Sequence, residues 1–499
     1  MKSRKNSGRQ KAKASIWIWF SRHVRDHRWF YAVSASAVLV YIVFSYLSYR
    51  KFMYPMLDLG LFNRHMWGMV RGDFGPNPLK FPTQLNLLGD HSHFILFLYA
   101  PIYFLWQNAF SLVLIQIVAL GLSGYPIYKI ALQRFKNKPA AAAWLVPYYL
   151  FFGFWSGQAY AFHEVFLALP LIAWALYFLL EDKFKPMLVC LLLLLLVKEN
   201  MPLLVMMFGL YVIVMRRQYK KGGLLIGLGA AYFVAVTQYW LPWFGNAPYV
   251  YSDNVFGKSS ADVARAAVLT PKEFARQIFL PLEKTKSIVF MLLSFGGLPL
   301  IGIEVLILIS PLWLGRFLST QPWRWSVIQH YSVDQAPILI VAAIVGAYRL
   351  HKLAQAKGMK ISGRNAGLCA VGLCIVGSML VHVRINRHLP AYPGRLLMPS
   401  FYTLSRSDKT AQAALANIPK DASVAAQAAF PQLSSRRDIY NLPIDLNTYQ
   451  PEYIVAAQGY DMWPFASVEN LNGFISTAVE RYGYDQVLLQ DGVVVLRKK

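Results

Sequence analysis

Long apolar runs punctuated by short basic loops fill the first 385 residues of the chain. A helix needs roughly 20 mainly apolar residues to cross the hydrocarbon core of a bilayer. Such runs recur between residues 29 and 383 and then stop. Loops rich in Lys and Arg mark the cytoplasmic side, so the crossings between any two of them must be even in number. The basic loops are residues 1–28, Arg134 to Lys138, Lys183 to Lys185, Arg216 to Lys221 and Arg349 to Arg364. Three apolar stretches, 29–48, 93–106 and 109–132, separate the first two. The middle stretch is short and holds Pro101 and Trp106, which predicts a helix lying at or dipping into the outer surface. The remaining crossings fall near 139–154, 165–180, 186–198, 201–215, 222–242, 287–298, 300–317, 334–350 and 365–383. The pattern predicts an α-helical polytopic membrane protein with about 11 transmembrane helices and a basic cytoplasmic N-terminal tail at 1–28. The inner turn Gly296-Gly297 carries no basic residue, and a single tilted helix over 287–317 would reverse everything beyond it; the basic run 349–364 argues for two limbs.

On this topology the transmembrane domain covers 29–383, with outer loops at 49–108 and 243–286, and residues 384–499 form an extracytoplasmic domain. Within the first loop, Met56 to Val70 has apolar residues at helical spacing and suits an interfacial helix. The tail reads as a small α/β domain, with helices near 409–417 and 467–482 and strands at Ser423–Ala426, Tyr453–Val455, Gln486–Leu489 and Gly492–Leu496. No internal repeat is visible.

Composition sharpens this picture. Of 499 residues, 56% are apolar and only 15% charged, against about a quarter charged in soluble domains. The net charge of +26 would suggest nucleic acid on a soluble protein, but its distribution excludes that. Nine Lys/Arg fall in residues 2–28, and residues 385–499 hold 11 basic and 10 acidic side chains. Cys190, Cys369 and Cys374 lie in apolar runs and offer neither a disulfide framework nor a metal motif. The first apolar run is long and lacks a small-residue cleavage site after it, so it reads as a retained span in the cell's inner or plasma membrane.

Ionisable groups at membrane depth are expensive and usually mark a site or a pathway. On this topology Asp58, Asp73, Asp90, His91, His93, His163, Glu164, Lys198, Glu199 and His330 all come out near the outer face. Lys198-Glu199 separates two runs of about 20 Å each in helical length, which sinks the pair below the outer surface. It reads as a site or as a structural ion pair. Asp58 could be a general base, a cation ligand or an N-cap. His91-Ser-His93 could begin a metal site or simply open a helix. His163-Glu164 and His330-Tyr331 could contact substrate or be structural. Phosphate-binding glycine loops and Ser-His-Asp signatures are absent, so a donor carried in the lipid fits better than a soluble nucleotide. A membrane transporter or flippase for a lipid-linked or envelope precursor would use the same buried charges as coupling residues.

The run Asp58-Leu-Gly-Leu-Phe-Asn-Arg-His-Met-Trp67, Asp90-His91 leading to Pro101-Ile-Tyr103, Gln116, Phe162-His163, Lys198-Glu199 and Gln329-His330-Tyr331 resembles the bacterial predicted membrane proteins of domain-of-unknown-function family 2079. Ile418 to Val424 and Leu433 to Arg436 extend the likeness into the tail. That family is similar to a branch of the C-type glycosyltransferases (GT-C). The resemblance implies a membrane glycosyltransferase that moves a sugar from a polyprenyl-phosphate-linked donor to an unknown acceptor of the cell envelope. It implies Asp58 as catalytic base; the clustering of polar groups at the outer face then makes Arg64, Asp90, His91, His163, Glu164, Lys198, Glu199, His330 and Tyr331 candidate substrate-binding residues, with Lys198, His330 and Arg64 as cations for the leaving phosphate and His163 and Glu164 orienting the sugar. A divalent cation is left open, with Asp58, His91 and His93 as candidate ligands, because the superfamily often has a second acidic residue where this chain has Gly60.

Overall fold

The computed structural model describes residues 21–80, 86–245, 253–257, 259–385 and 393–499. Most of the expected basic tail, parts of both expected outer loops and the start of the expected tail domain therefore lie outside the described residues. The architecture is a helical bundle capped at one end by a small mixed sheet.

Five helices are long and apolar enough to cross a membrane alone: Arg28–Arg50, Ala109–Phe135, Tyr219–Gly245, His330–Ala356 and Gly363–Ile385. Each coincides with one predicted crossing. The other six predicted crossings fall on shorter or broken helices. Residues 138–159 are cut into Lys138–Ala143, Leu145–Leu150 and Phe152–Ala159, the last break falling where Phe151 turns extended. Val165–Leu180, Phe184–Leu195 and Met201–Arg216 are apolar helices below full spanning length. Residues 282–317 form two limbs, because Gly296 and Gly297 both take the left-handed conformation and turn the chain back. Arg349 donates to the Ile301 carbonyl at 2.6 Å and to Glu304 at 2.7 Å, which pins that turn to the Arg349 end of the bundle. Ile95–Leu105, at about 16 Å, is too short to cross, and it exposes Phe97, Leu98, Ile102 and Leu105.

Helix Met201–Arg216 and the start of Tyr219–Val234 pack as a close hairpin. A Cβ on Gly209 would sit 2.7 Å from the Gly222 carbonyl oxygen, so only glycine permits this approach.

The basic loops gather at one end. His27 meets Tyr128 at 3.2 Å, Arg134 lies over Tyr348, and Arg216 donates to the Leu179 carbonyl at 3.2 Å. The sheet sits at the opposite end. Its strands β1 (Val424–Ala426), β2 (Ile439–Asn441), β3 (Tyr453–Ala457), β4 (Tyr484–Gln490) and β5 (Val493–Lys498) run in the order β2-β1-β3-β5-β4. The first three pair in parallel, and β5 pairs antiparallel with both β3 and β4. Alternation along the strands sorts two cores. Val424, Val455 and Val495 face helix Arg406–Ala416, whereas Ala425, Ile454 and Val494 face helix Val468–Tyr482.

The first loop is part of this second body. Phe52, Met56, Leu61 and Leu79 share a core with Phe430 and Leu433, and the Met56 N–H donates to the Ala428 carbonyl at 2.6 Å. Asn63 donates to Ser434 Oγ at 2.7 Å and Ser435 Oγ at 2.9 Å. The interfacial helix expected over Met56 to Val70 is accordingly corrected. One wide turn, Met56–Gly60, leads into helix Leu61–Met69, and that helix is buried on nearly every side between bundle and sheet. Its polar face, which suggested contact with water, instead meets the tail.

Candidate functional site

At the end of the bundle away from the basic loops, a cavity of about 460 Å3 walled by the bundle and the first loop is lined by Asp58, Asp90, His91, His93, His163, Glu164, Lys198, Glu199, His330 and Tyr331. These groups are far apart in sequence and come from separate loops, each placed by its own local device.

Asp58 projects from the turn Met56–Gly60, which begins after the extended Pro55. Its side chain caps no helix; one oxygen lies 3.5 Å from His163 Nε2, and a third of the side chain is exposed. The N-cap reading of Asp58 therefore falls away. His163 follows Ala161, whose φ of +67° is strained for a residue with a Cβ. Gln116, fully buried in helix Ala109–Phe135, holds this turn: its Nε2 donates to the Ala161 carbonyl at 2.8 Å and to Gln158 Oε1 at 2.7 Å, and its Oε1 accepts from the His163 N–H at 3.0 Å. The His163 ring stacks on His330 with centroids 3.7 Å apart.

Deeper in, Lys198 donates to Glu164 at 2.7 Å, and His93 Nδ1 lies 3.7 Å from the other Glu164 oxygen. His91 Nδ1 sits 2.7 Å from Glu199, whose second oxygen accepts from the Ser92 N–H. The two short helices flanking Lys198-Glu199 can end inside the protein because these pairs satisfy their charges. Each buried charge needs such a partner, since an isolated one costs several kcal/mol. Asp90 is paired with Lys80 at 2.7 Å.

Arg64 is a correction. It does not line the cavity. Its guanidinium donates to Asp73 at 2.9 Å and to the Arg437 carbonyl at 3.1 Å, tying the first loop to the tail. The same contact holds the Asp73 carboxyl below the usual carboxylate range. The candidate metal ligands do not converge either. Asp58 turns to His163 and His91 to Glu199, and among the described residues no group of three or more His, Cys, Asp or Glu is placed to hold a metal ion.

Other residues of the cavity escaped sequence reasoning. Arg316, almost fully buried, donates to the carbonyls of Arg324, Ser326 and Tyr331 and to Ser332 Oγ, and so shapes the turn that delivers His330 and Tyr331. Asp334 and Arg324 also face the cavity. An arginine inside the apolar run 300–317 and an aspartate at the head of 334–350 were the available signals.

No curated protein matches the sequence. Among solved structures, ArnT from Cupriavidus metallidurans bound to undecaprenyl phosphate superposes with a TM-score of 0.50 at 14% identity, over 94% of this chain and 97% of that one. The same enzyme in the apo state gives 0.48 at 14% identity, with the same coverage. The likeness to the first is one of fold: the chain has an ArnT-like fold. The family model for predicted membrane proteins, DUF2079, matches residues 48–495, so this multi-pass membrane chain belongs to that family.

Proposed function

We propose that the protein is a membrane glycosyltransferase that takes a sugar from a polyprenyl-phosphate-linked donor and passes it to an acceptor of the cell envelope. The observation that carries this reading is the single cavity in which Asp58 meets His163 above the pairs Lys198–Glu164 and His91–Glu199. The GT-C-like fold supports it, and ArnT, bound to undecaprenyl phosphate, supports a lipid-linked donor. Nothing in the fold favours the transporter or flippase reading.

The positive-inside rule assigns the basic end to the cytoplasm of the inner membrane, which puts the cavity and the sheet domain outside. There Asp58, partly open to the cavity, accepts the proton of an acceptor hydroxyl. The freed oxygen forms the new bond to the anomeric carbon, and the bond from that carbon to the phosphate oxygen breaks. The electron pair leaves with the polyprenyl phosphate, whose negative charge falls near Lys198 and Arg324. His163, stacked on His330, orients Asp58, while Tyr331 and the His91–Glu199 pair border the space for the sugar. No step is assigned to a metal, because the candidate ligands are committed to separate partners.

The test is release of polyprenyl phosphate by the purified protein from a panel of polyprenyl-phosphate sugars, with an envelope extract supplied as acceptor. Wild type should turn over at least one donor. Asp58→Asn, if it inserts and purifies normally, should lose about 100-fold or more, the usual scale for a general base. Full activity in that variant would remove Asp58 from the mechanism.

A further inference from the structure

A second cleft, of about 560 Å3, opens in the sheet domain between helix Arg406–Ala416 and the β4–β5 hairpin. Its walls include two cations, Lys409 and Arg497, and no carboxylate. Acids do stand nearby, but each is engaged elsewhere. Asp408 caps its own helix through the Ser405 N–H and accepts from the Tyr460 hydroxyl at 3.0 Å. Asp491 accepts from Thr410 at 2.6 Å, and Asp485 pairs with Lys499 at 3.4 Å. Lys409 and Arg497 therefore face the cleft with their charge available to an anion from outside. Arg497 is also held over the ring of Tyr453, 5.9 Å from its centroid, which fixes the guanidinium at the cleft wall.

The remaining lining suits a sugar. Asn417 and Gln490 offer neutral donors and acceptors for hydroxyls, and the Thr410 oxygen, its proton given to Asp491, offers an acceptor. A bulge in β4 between Gln486 and Leu488 turns out Val487, 54% exposed, leaving an apolar edge at the rim for the C–H face of a ring. We propose that this cleft is a docking subsite for an anionic saccharide, a sugar bearing a carboxylate or phosphate, and that it holds the acceptor glycan of the transfer reaction. The acceptor assignment rests on the function proposed above; the saccharide site does not.

The full-length protein in detergent is titrated calorimetrically with three probes: a tetrasaccharide alternating glucuronate and N-acetylglucosamine, neutral maltotetraose, and inorganic phosphate. The acidic tetrasaccharide should bind about tenfold or more tighter than either of the others, as two charge-assisted contacts plus ring packing would give, and raising the salt should weaken it. Lys409→Ala/Arg497→Ala should remove that preference; both positions are exposed, so folding is not at stake. Asp58→Asn should bind as wild type. Equal binding of acidic and neutral saccharides, phosphate binding as tightly as the tetrasaccharide (an anion site only), or an unchanged double variant would each overturn the subsite. A wild type that binds the acidic saccharide selectively but releases no polyprenyl phosphate from any donor would sink the transferase reading and the acceptor role, and leave the saccharide site standing.

Discussion

Glu164 is 1% exposed and Lys198 14%, and each is the other's neutraliser. Removing one partner of a buried pair costs about 3–5 kcal/mol, whereas replacing both with apolar groups of similar size is often neutral. Lys198→Met alone should therefore lower thermal stability in detergent markedly, and Glu164→Leu/Lys198→Met should recover it while remaining inactive. A single variant as stable as wild type would show the pair to be water-filled. Gln116 makes a different prediction. Gln116→Leu leaves the Ala161 carbonyl and the His163 N–H without their partner, so the strained turn loses its clamp. On the proposed mechanism, in which His163 orients Asp58, kcat should fall about tenfold or more with KM little changed and an unaltered elution profile. These residues were legible in sequence wherever a charge interrupts an apolar run, as at Lys198 and Glu164. Arg64 was misread because its partners, Asp73 and the Arg437 carbonyl, are invisible without the fold; the second lies 373 positions along the chain.

Among the elements, the hairpin of Met201–Arg216 with Tyr219–Val234 begins directly after the cavity residues Lys198-Glu199. Gly209→Leu must push the two helices apart, because the Gly222 carbonyl occupies the space of its Cβ. Overpacking of this kind costs about 1–3 kcal/mol or more, so the melting temperature should fall together with activity. An unchanged melting temperature would mean the helices are free to separate. Element boundaries followed from hydropathy and basic loops for the long helices, and the two limbs of 282–317 followed from Arg349. The strand β2, only Ile439–Asn441, gave no alternation to read, since its place comes from parallel pairing with β1. Helix Leu61–Met69 was legible as a helix, but its burial was not, since its polar side chains meet Ser434 and Arg437 rather than water.

For the whole molecule, the basic loops at one end and the sheet at the other define a polarity that can be measured. In a cysteine-free background, Gly473→Cys in the sheet domain should react with an impermeant maleimide on intact spheroplasts, and Lys357→Cys only after lysis. The reverse pattern would place the cavity in the cytoplasm and end the transferase proposal. The separation of the basic loops from the sheet was readable in advance because the basic loops alternate along the chain with the segments expected outside. The embrace of the first loop by the tail was not, because it joins segments more than 350 residues apart.

That embrace has a bearing on biogenesis. The loop bearing Asp58 leaves the ribosome early, yet the groups that hold it, Ala428, Ser434 and the Arg437 carbonyl, are made near the end of synthesis. Until the last hundred or so residues have been made, the Asn63 amide lacks the Ser434 and Ser435 oxygens and the Arg64 guanidinium holds only Asp73, so the loop that carries Asp58 has no wall to settle against. A nascent chain therefore lacks a settled first loop, and a premature stop codon in the tail should unseat Asp58 from the cavity wall as surely as one in the bundle.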